Sequence, residues 1–342
     1  MVDGRVKNMN ETLIDFVIPW VDGNDPEWQS EKKLYAKKTS GDNRNIRYRD
    51  WDNLQYWFRG VEKYAPWVNK IHFITWGHLP AWLNKNHPKL NIVNHRDFIP
   101  NEYLPTYSSH VIELNLHRIN GLSEKFVYFN DDTFIIDNMK KTDFFSQGLP
   151  CDIAVLMPLI AKFRNSTGSI VANNMEIINT NYKKNKVIKN NLSKWFHLTY
   201  KKYLISTLLM MPYNSFAGFL NQHLPNSFLK QTYKNLWETE YDVLDKTCHN
   251  KFRDGKDVNQ WLFRFTQLVE GRFTPRNPKI GRTFDLTNNN IDAIKAIENQ
   301  QFKMICINDN DKDPVNDFEK ERVAFIEAFQ KILPNKSHYE FE

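Results

Sequence analysis

The stretch Phe126-Val-Tyr-Phe-Asn-Asp-Asp-Thr-Phe-Ile-Ile136 decides how this chain reads. Val, Ile, Phe and Tyr fit a pleated, covered surface, so both flanks predict buried strand. Asn130, Asp131 and Asp132 interrupt that run. Adjacent carboxylates are costly to bury without a partner, which places them at a strand end. Taken alone, they read either as a turn capping the next element or as oxygen ligands for Mg²⁺ or Mn²⁺. Such cations take carboxylates together with substrate phosphates.

Upstream, Leu13-Ile-Asp-Phe-Val-Ile-Pro-Trp-Val21 predicts another buried strand, opening into the dense turn signal Asp22-Gly-Asn-Asp-Pro26. Many α/β proteins begin a nucleotide site this way, outside the carboxyl ends of their strands; an ordinary first turn looks the same. Strands follow at Ile71–Trp76 and Leu90–Val93. Between the first two strands, Leu54, Trp57, Phe58 and Val61 recur at helical spacing within Asp52–Tyr64. His110–Asn120 predicts a helix that places Glu113 and His117 on one face. The order is wrong for a zinc-protease motif, so the pair reads as substrate-facing or as a solvated face. Later segments predict a strand at Cys151–Met157, then loop and helix over Ser215–Trp237 with His223 at the junction, and a helix at Gln260–Leu268. A last strand, Phe302–Ile307, ends in a second acidic cluster, Asn308-Asp309-Asn310-Asp311, before an amphipathic helix from Phe318 to Phe329. The length of 342 residues suits two domains or one large α/β domain with insertions.

Composition narrows the class. The 342 residues are 41% hydrophobic and 25% charged, ordinary for a globular protein. The three cysteines form no CxxC pair, which argues for a reducing compartment. The polar amino terminus has no signal core, and no apolar run approaches the ~20 residues that span a bilayer. Between Ile177 and Trp237 the chain has nine lysines and no Asp or Glu. Interleaved with Trp195, Phe196, Tyr200 and Tyr203, they suit a membrane surface or an anionic glycan, or simply a solvated insertion. No nucleic-acid motif is present.

With these residues laid out, the chain resembles the Stealth family of sugar-1-phosphate transferases. The resemblance rests on four ordered blocks. They are Ile14–Pro26; Arg49 to about Phe145, including Leu104-Pro-Thr-Tyr-Ser-Ser109, His117-Arg118 and Phe129-Asn-Asp-Asp132; His223-Leu-Pro225 with Arg253–Gln260; and Cys306–Asn310 with the closing helix. Residues from about Arg164 to Lys202 fall outside it. The resemblance implies a mixed, mainly parallel α/β sheet with helices on both faces, like the fold of the GT-A nucleotide-sugar glycosyltransferases, and a minimal bacterial version of the family. It implies one catalytic domain over 1–342, in which 12–160 carry the nucleotide-sugar and metal part. Residues 161–204 would be a helical Lys-rich insertion, and 205–342 a second catalytic part.

The implied activity transfers a sugar 1-phosphate from a UDP-sugar to a hydroxyl of a glycan acceptor, releasing UMP, in capsular or cell-surface polysaccharide synthesis. His223, Arg253 and Asp132 would be catalytic: His223 as the base, because imidazole suits that role near neutral pH, and Arg253 on phosphate. Trp20, Asp22, Gly23, Ser109, Glu113, Arg118, Asn130 and Asp257 would bind substrate or nucleotide. Asp131, Asp132 and Asp309 would hold Mg²⁺ or Mn²⁺. The acceptor would be lipid-linked, with the enzyme in the cytoplasm or against the inner face of the plasma membrane through its Lys-rich insertion. A glycosyltransferase releasing UDP, or a non-catalytic glycan binder, would share some of these features.

Overall fold

The computed structural model describes residues 13–38, 41, 42, 44, 48–160, 167–309 and 317–341. The amino-terminal stretch, the first six residues of the Lys-rich insertion, and Asn310 and Asp311 of the second acidic cluster lie outside them.

Eight strands position the site: β1 (Ile14–Pro19), β2 (Ile71–Thr75), β3 (Leu90–Asn94), β4 (Lys125–Tyr128), β5 (Thr133–Ile135), β6 (Asn226–Leu229), β7 (Gly281–Asp285) and β8 (Met304–Asn308). The main sheet runs β3-β2-β1-β4-β6, parallel except for β6, which is antiparallel to β4. A second sheet runs β7-β8-β5. The fold is thus the mixed, mainly parallel α/β type. Its sheet is buried on both faces, as parallel sheets require. Ile14, Phe16 and Ile18 join one core with Phe73, Val127 and Phe129. Val17 joins the other with Ile74, Phe126 and Tyr128.

Asp15, on the Val17 side of this alternation, is wholly buried at the amino end of the sheet. It accepts from Asn69 Nδ2 and Ser123 N at 2.7 Å and meets His72 Nε2 at 3.1 Å. Burial alone would raise its carboxyl, but His72, Asn69 and Ser123 together hold it below the ordinary carboxylate value.

The stretch predicted as one interrupted strand is two strands in different sheets. β4 pairs with β1 in the main sheet, while β5 pairs antiparallel with β8, Thr133 opposite Cys306. Asn130–Asp132 form the turn between them, closed by Thr133 N and Oγ1 donating to the Asn130 carbonyl at 3.1 and 2.7 Å. Other expectations are shortened. The helix predicted to Asn120 ends at Asn115, followed by a 3₁₀ turn over Leu116–Arg118. The strand predicted to Met157 stops at Asp152. Inside the segment predicted as loop then helix, β6 precedes the helix.

Helix α1 (Pro26–Ala36) begins at Asp25, whose side chain accepts from Trp28 N. Helix α2 (Leu54–Tyr64) lies on β5 through Gly60, where an added Cβ would stand 2.5 Å from the Ile135 carbonyl oxygen. Helix α3 (Ser109–Asn115) flanks the site. Described residues of the Lys-rich insertion are helical, with α4 at Thr167–Asn181 and α5 at Lys184–Asn190. Replacing Gly60 by Ala forces α2 off β5. We expect a loss of about 1–3 kcal/mol of stability by denaturant titration, and an unchanged midpoint would show that this contact yields freely.

Candidate active site

The main sheet reverses its strand order between β1 and β4, and ligands of open α/β sheets gather at the carboxyl ends beside such a point. The chain leaving β1 carries Trp20 and the chain leaving β4 carries Asn130–Asp132; both line one cleft of about 870 Å³. Ser109, Glu113, His223, Arg253 and Asp309 line it too. Of the predicted residues, Asp22, Gly23, Arg118 and Asp257 do not.

His223 stands at the centre. Its Nε2 meets Asn130 Nδ2 at 2.6 Å. Its Nδ1 lies 3.6 Å from Cys306 Sγ and 3.9 Å from Asp132 Oδ2. With the Asn130 amide as donor, Nε2 keeps its lone pair and Nδ1 carries the proton toward Asp132. Arg253 is tethered by one bond, Nη2 to Ser109 Oγ at 2.7 Å. Arg253 Nη2 is thereby held, in a residue that lines the cleft. Glu113 is nearly buried and accepts from Gln260 N at 3.2 Å.

The acidic segments come together through the backbone: Ile307 N donates to the Asp132 carbonyl at 2.9 Å. Asp309 then accepts from Arg49 Nε at 2.9 Å and Trp51 Nε1 at 3.2 Å, both through Oδ2. Asp132 Oδ1 and Asp309 Oδ1 are buried and meet no donor among the described residues. Buried acceptors left unpaired are costly, and carboxylate oxygens are the ligands a hard divalent cation takes, so the donor chemistry of each fits one.

Among the described residues, the one group of three or more whose donor atoms fall within 4.8 Å of one another is Asp132, His223 and Cys306. Asp131 and Asp309, predicted with Asp132 as the metal set, are not in it. Burial, then the adjacent Asp132 charge, pushes the Cys306 thiol well above its ordinary value. The thiol donates to Asp132 Oδ2 at 3.4 Å.

Enclosure by the cleft, then the charges of Asp132 and Asp50, push the Asp131 carboxyl up to about 7. The residue's surface is nonetheless open to the cleft. Water therefore tempers the burial contribution, and the like charges are the firmer cause. Asp50 is itself raised by burial, with the Asp52 charge adding to it, despite a 2.7 Å bond from Asp52 N.

The remaining predicted residues support the site from outside it. Asp22 turns its Oδ1 onto Asn24 N at 2.8 Å, and its N–H donates to His78 Nε2 at 2.7 Å. Gly23 lines a neighbouring hollow of about 740 Å³, and its lack of a side chain lets it close on Tyr48, whose carbonyl oxygen a Cβ would meet at 2.0 Å. Asp257 is wholly buried, accepting from Asn250 Nδ2 at 2.7 Å and meeting His110 Nδ1 at 2.8 Å, so it orients His110 instead of touching a ligand. Arg118 is exposed, with its guanidinium 4.7 Å from the Trp237 ring. His117 packs between Tyr233 and Trp237, and burial pushes it down to about 3, so it is neutral there. Sequence reasoning missed Arg49, Asp50 and Tyr128 as cleft residues. The Arg49-Asp50 pair beside Trp51 was the available signal; Tyr128 looked like any core aromatic.

Two family descriptions match the chain: Stealth protein CR1, conserved region 1, over residues 14–40, and Stealth protein CR2, conserved region 2, over residues 47–151. A capsular polysaccharide phosphotransferase, WcwK of Streptococcus pneumoniae, is 44% identical over 338 residues, covering 98% of this chain and 99% of its own. An exopolysaccharide phosphotransferase, cps2G of Lactiplantibacillus plantarum, is 37% identical over 335 residues, 96% of each chain. Among solved structures, the galactosyltransferase LgtC with donor and acceptor sugar analogs aligns over 95% of this chain and 98% of its own. That match has 12% identity and a TM-score of 0.41, a likeness too loose to bear on the site.

Asp131 gives a test in chelator-treated protein. Its folded value lies above the ordinary 3.8, so the native chain keeps a proton that the unfolded chain releases between the two. Stability therefore falls as pH rises through that window and stays lowered above it. Asp131→Asn removes the penalty: its Tm should exceed the parent's at pH 8, the gap narrowing toward pH 5. Equal melting at pH 8 would mean that Asp131 ionises freely.

Proposed function

The chain belongs to the Stealth family of polysaccharide phosphotransferases and is a transferase, and we propose that it transfers a sugar 1-phosphate from a UDP-sugar to a hydroxyl of a glycan. One observation carries the reading: Trp20 and Val21 after β1, the Asn130–Asp132 turn, His223, Arg253 and Asp309, widely separated in sequence, line a single cleft.

In this reading the acceptor hydroxyl oxygen attacks the β-phosphorus of the donor. A new P–O bond forms, the bond from that phosphorus to the bridging oxygen breaks, and UMP leaves with the bridging oxygen. The hydroxyl proton passes to His223 Nε2, the atom that Asn130 now contacts, and the Nδ1 proton is steadied by Asp132. Arg253, with one nitrogen fixed on Ser109, offers its remaining N–H groups to the phosphate being transferred. Trp20 and the loop after it flank the nucleotide. Asp132 and Asp309 would hold a divalent cation, Mg²⁺ or Mn²⁺, which when bound neutralises pyrophosphate charge. Asp131 faces the same space. The product belongs to capsular or exopolysaccharide synthesis. The acceptor is a lipid-linked glycan, which places the enzyme in the cytoplasm at the inner face of the plasma membrane.

Product analysis with Mg²⁺, UDP-sugars and a short glycan tests this. UMP beside a phosphodiester-linked product is expected; UDP would mean attack at the sugar carbon and would overturn the roles of His223 and Arg253. Replacing His223 by Ala should lower kcat by roughly 10²–10⁴. Arg253→Lys keeps the charge but loses the fork, and should lower kcat by about 10². Full activity in either variant would remove that residue from the chemistry.

A further inference from the structure

The described part of the chain has no helix long and apolar enough to cross a membrane, yet it presents an apolar helix face outward. Helix α6 (Leu204–Met210) is inverted relative to a surface helix of a globular protein. Its polar residues point in: Ser206 Oγ donates to the Leu156 carbonyl at 2.7 Å, and the buried Thr207 Oγ1 accepts from Leu156 N at 3.1 Å. Its apolar residues point out. Ile205, Leu208 and Leu209, spaced i, i+3, i+4, are 61%, 57% and 65% exposed, and Leu198 just before the helix is 84% exposed. Clustered apolar exposure of this kind marks an interaction surface.

Charge selects the partner. Lys201 and Lys202 are exposed at the entry to α6, Lys183, Lys186 and Lys189 are exposed nearby along the chain, and no carboxylate side chain occurs between Ile177 and Trp237. Two other lysines predicted to serve the surface are structural. Lys184 is buried and donates to the carbonyls of Met210 and Met211 at 2.8 and 2.9 Å, fastening the end of α6; Lys194 donates to the Gly271 carbonyl at 2.6 Å. Outward aliphatic side chains flanked by exposed lysines suit the interfacial layer of an anionic bilayer. The surface is also tied to the site. Leu156, which α6 grips, bridges to Phe219, and the chain from Phe219 runs directly on to Asn221 and His223 in the cleft.

We propose that Leu198, Ile205, Leu208 and Leu209, with Lys201 and Lys202, form a docking surface that seats in an anionic lipid bilayer. The proposal rests on the reading of the acceptor as lipid-linked and gives that reading its physical contact.

Sedimentation with vesicles of phosphatidylglycerol and phosphatidylethanolamine tests it, using the full chain. The parent should sediment with them and remain in solution with phosphatidylcholine vesicles. The triple variant Ile205→Ser, Leu208→Ser, Leu209→Ser should bind roughly tenfold more weakly or worse, with an unchanged Tm because those side chains lie outside the core. Lys201→Ser with Lys202→Ser, or raised salt, should weaken binding by a similar factor. Absence of parent binding, or equal binding by parent and triple variant, overturns the proposal. So does a parent dimer that the triple variant abolishes, which would assign the face to a second copy of the chain. UMP release onto a water-soluble glycan should be the same in parent and triple variant. If the parent releases no UMP, the assigned reaction fails, while vesicle binding still decides this surface on its own.

Discussion

The site depends on the chain changing sheets between Tyr128 and Thr133. β4 is locked to β1 in the main sheet, β5 to β8 in the second, and the four residues between them must turn sharply. The Asn130 carbonyl, taken twice by Thr133, fixes that turn. It leaves Asp131 and Asp132 pointing where neither sheet can cover them. The Ile307 bond to the Asp132 carbonyl then brings in the second acidic segment. A strand running straight through would have alternated these side chains into the two cores, where unpaired carboxylates do not survive.

Asp15 and Asp131 show how one fold treats two carboxylates in opposite ways. Both belong to the central pair of strands or their extension. Asp15, at the amino end, has three partners and is lowered. Asp131, at the carboxyl end, faces two more carboxylates and is raised. The first is saturated and holds strands together; the second is left wanting positive charge. The cleft supplies some, from Arg49 on Asp309 and from Arg253, but orphan oxygens on Asp132 and Asp309 remain.

Much of this was legible from residue pattern. Apolar runs of five or six residues announced β1, β2 and β8, and the acidic breaks after β4 and β8 announced the cleft, because strand ends are where such residues are tolerated. What pattern did not reveal was pairing. Nothing local in Phe126–Ile136 says that its halves join different sheets; that follows from partners far away at Phe16 and Ile305. The same limit explains the residues assigned to the site that are not in its main cleft. Asp257 and Arg118 sit in motifs with the right chemistry, but a buried His110 claims the first and the Trp237 ring holds the second. Lys184 and Lys194 looked like surface charge for want of any sign that backbone carbonyls awaited them.

The pairing of β5 with β8 also sets an order on synthesis. Thr133–Ile135 leave the ribosome some 170 residues before the Met304–Asn308 strand that must lie beside them, and contacts of such separation form late. Until then the growing chain can assemble β1 to β4, but the turn bearing Asp131 and Asp132 has no opposite wall. The cleft is therefore complete only after Asp309 has emerged. A chain cut short before its final strand carries most of the motifs but lacks the wall that Ile307, Asn308 and Asp309 give the cleft.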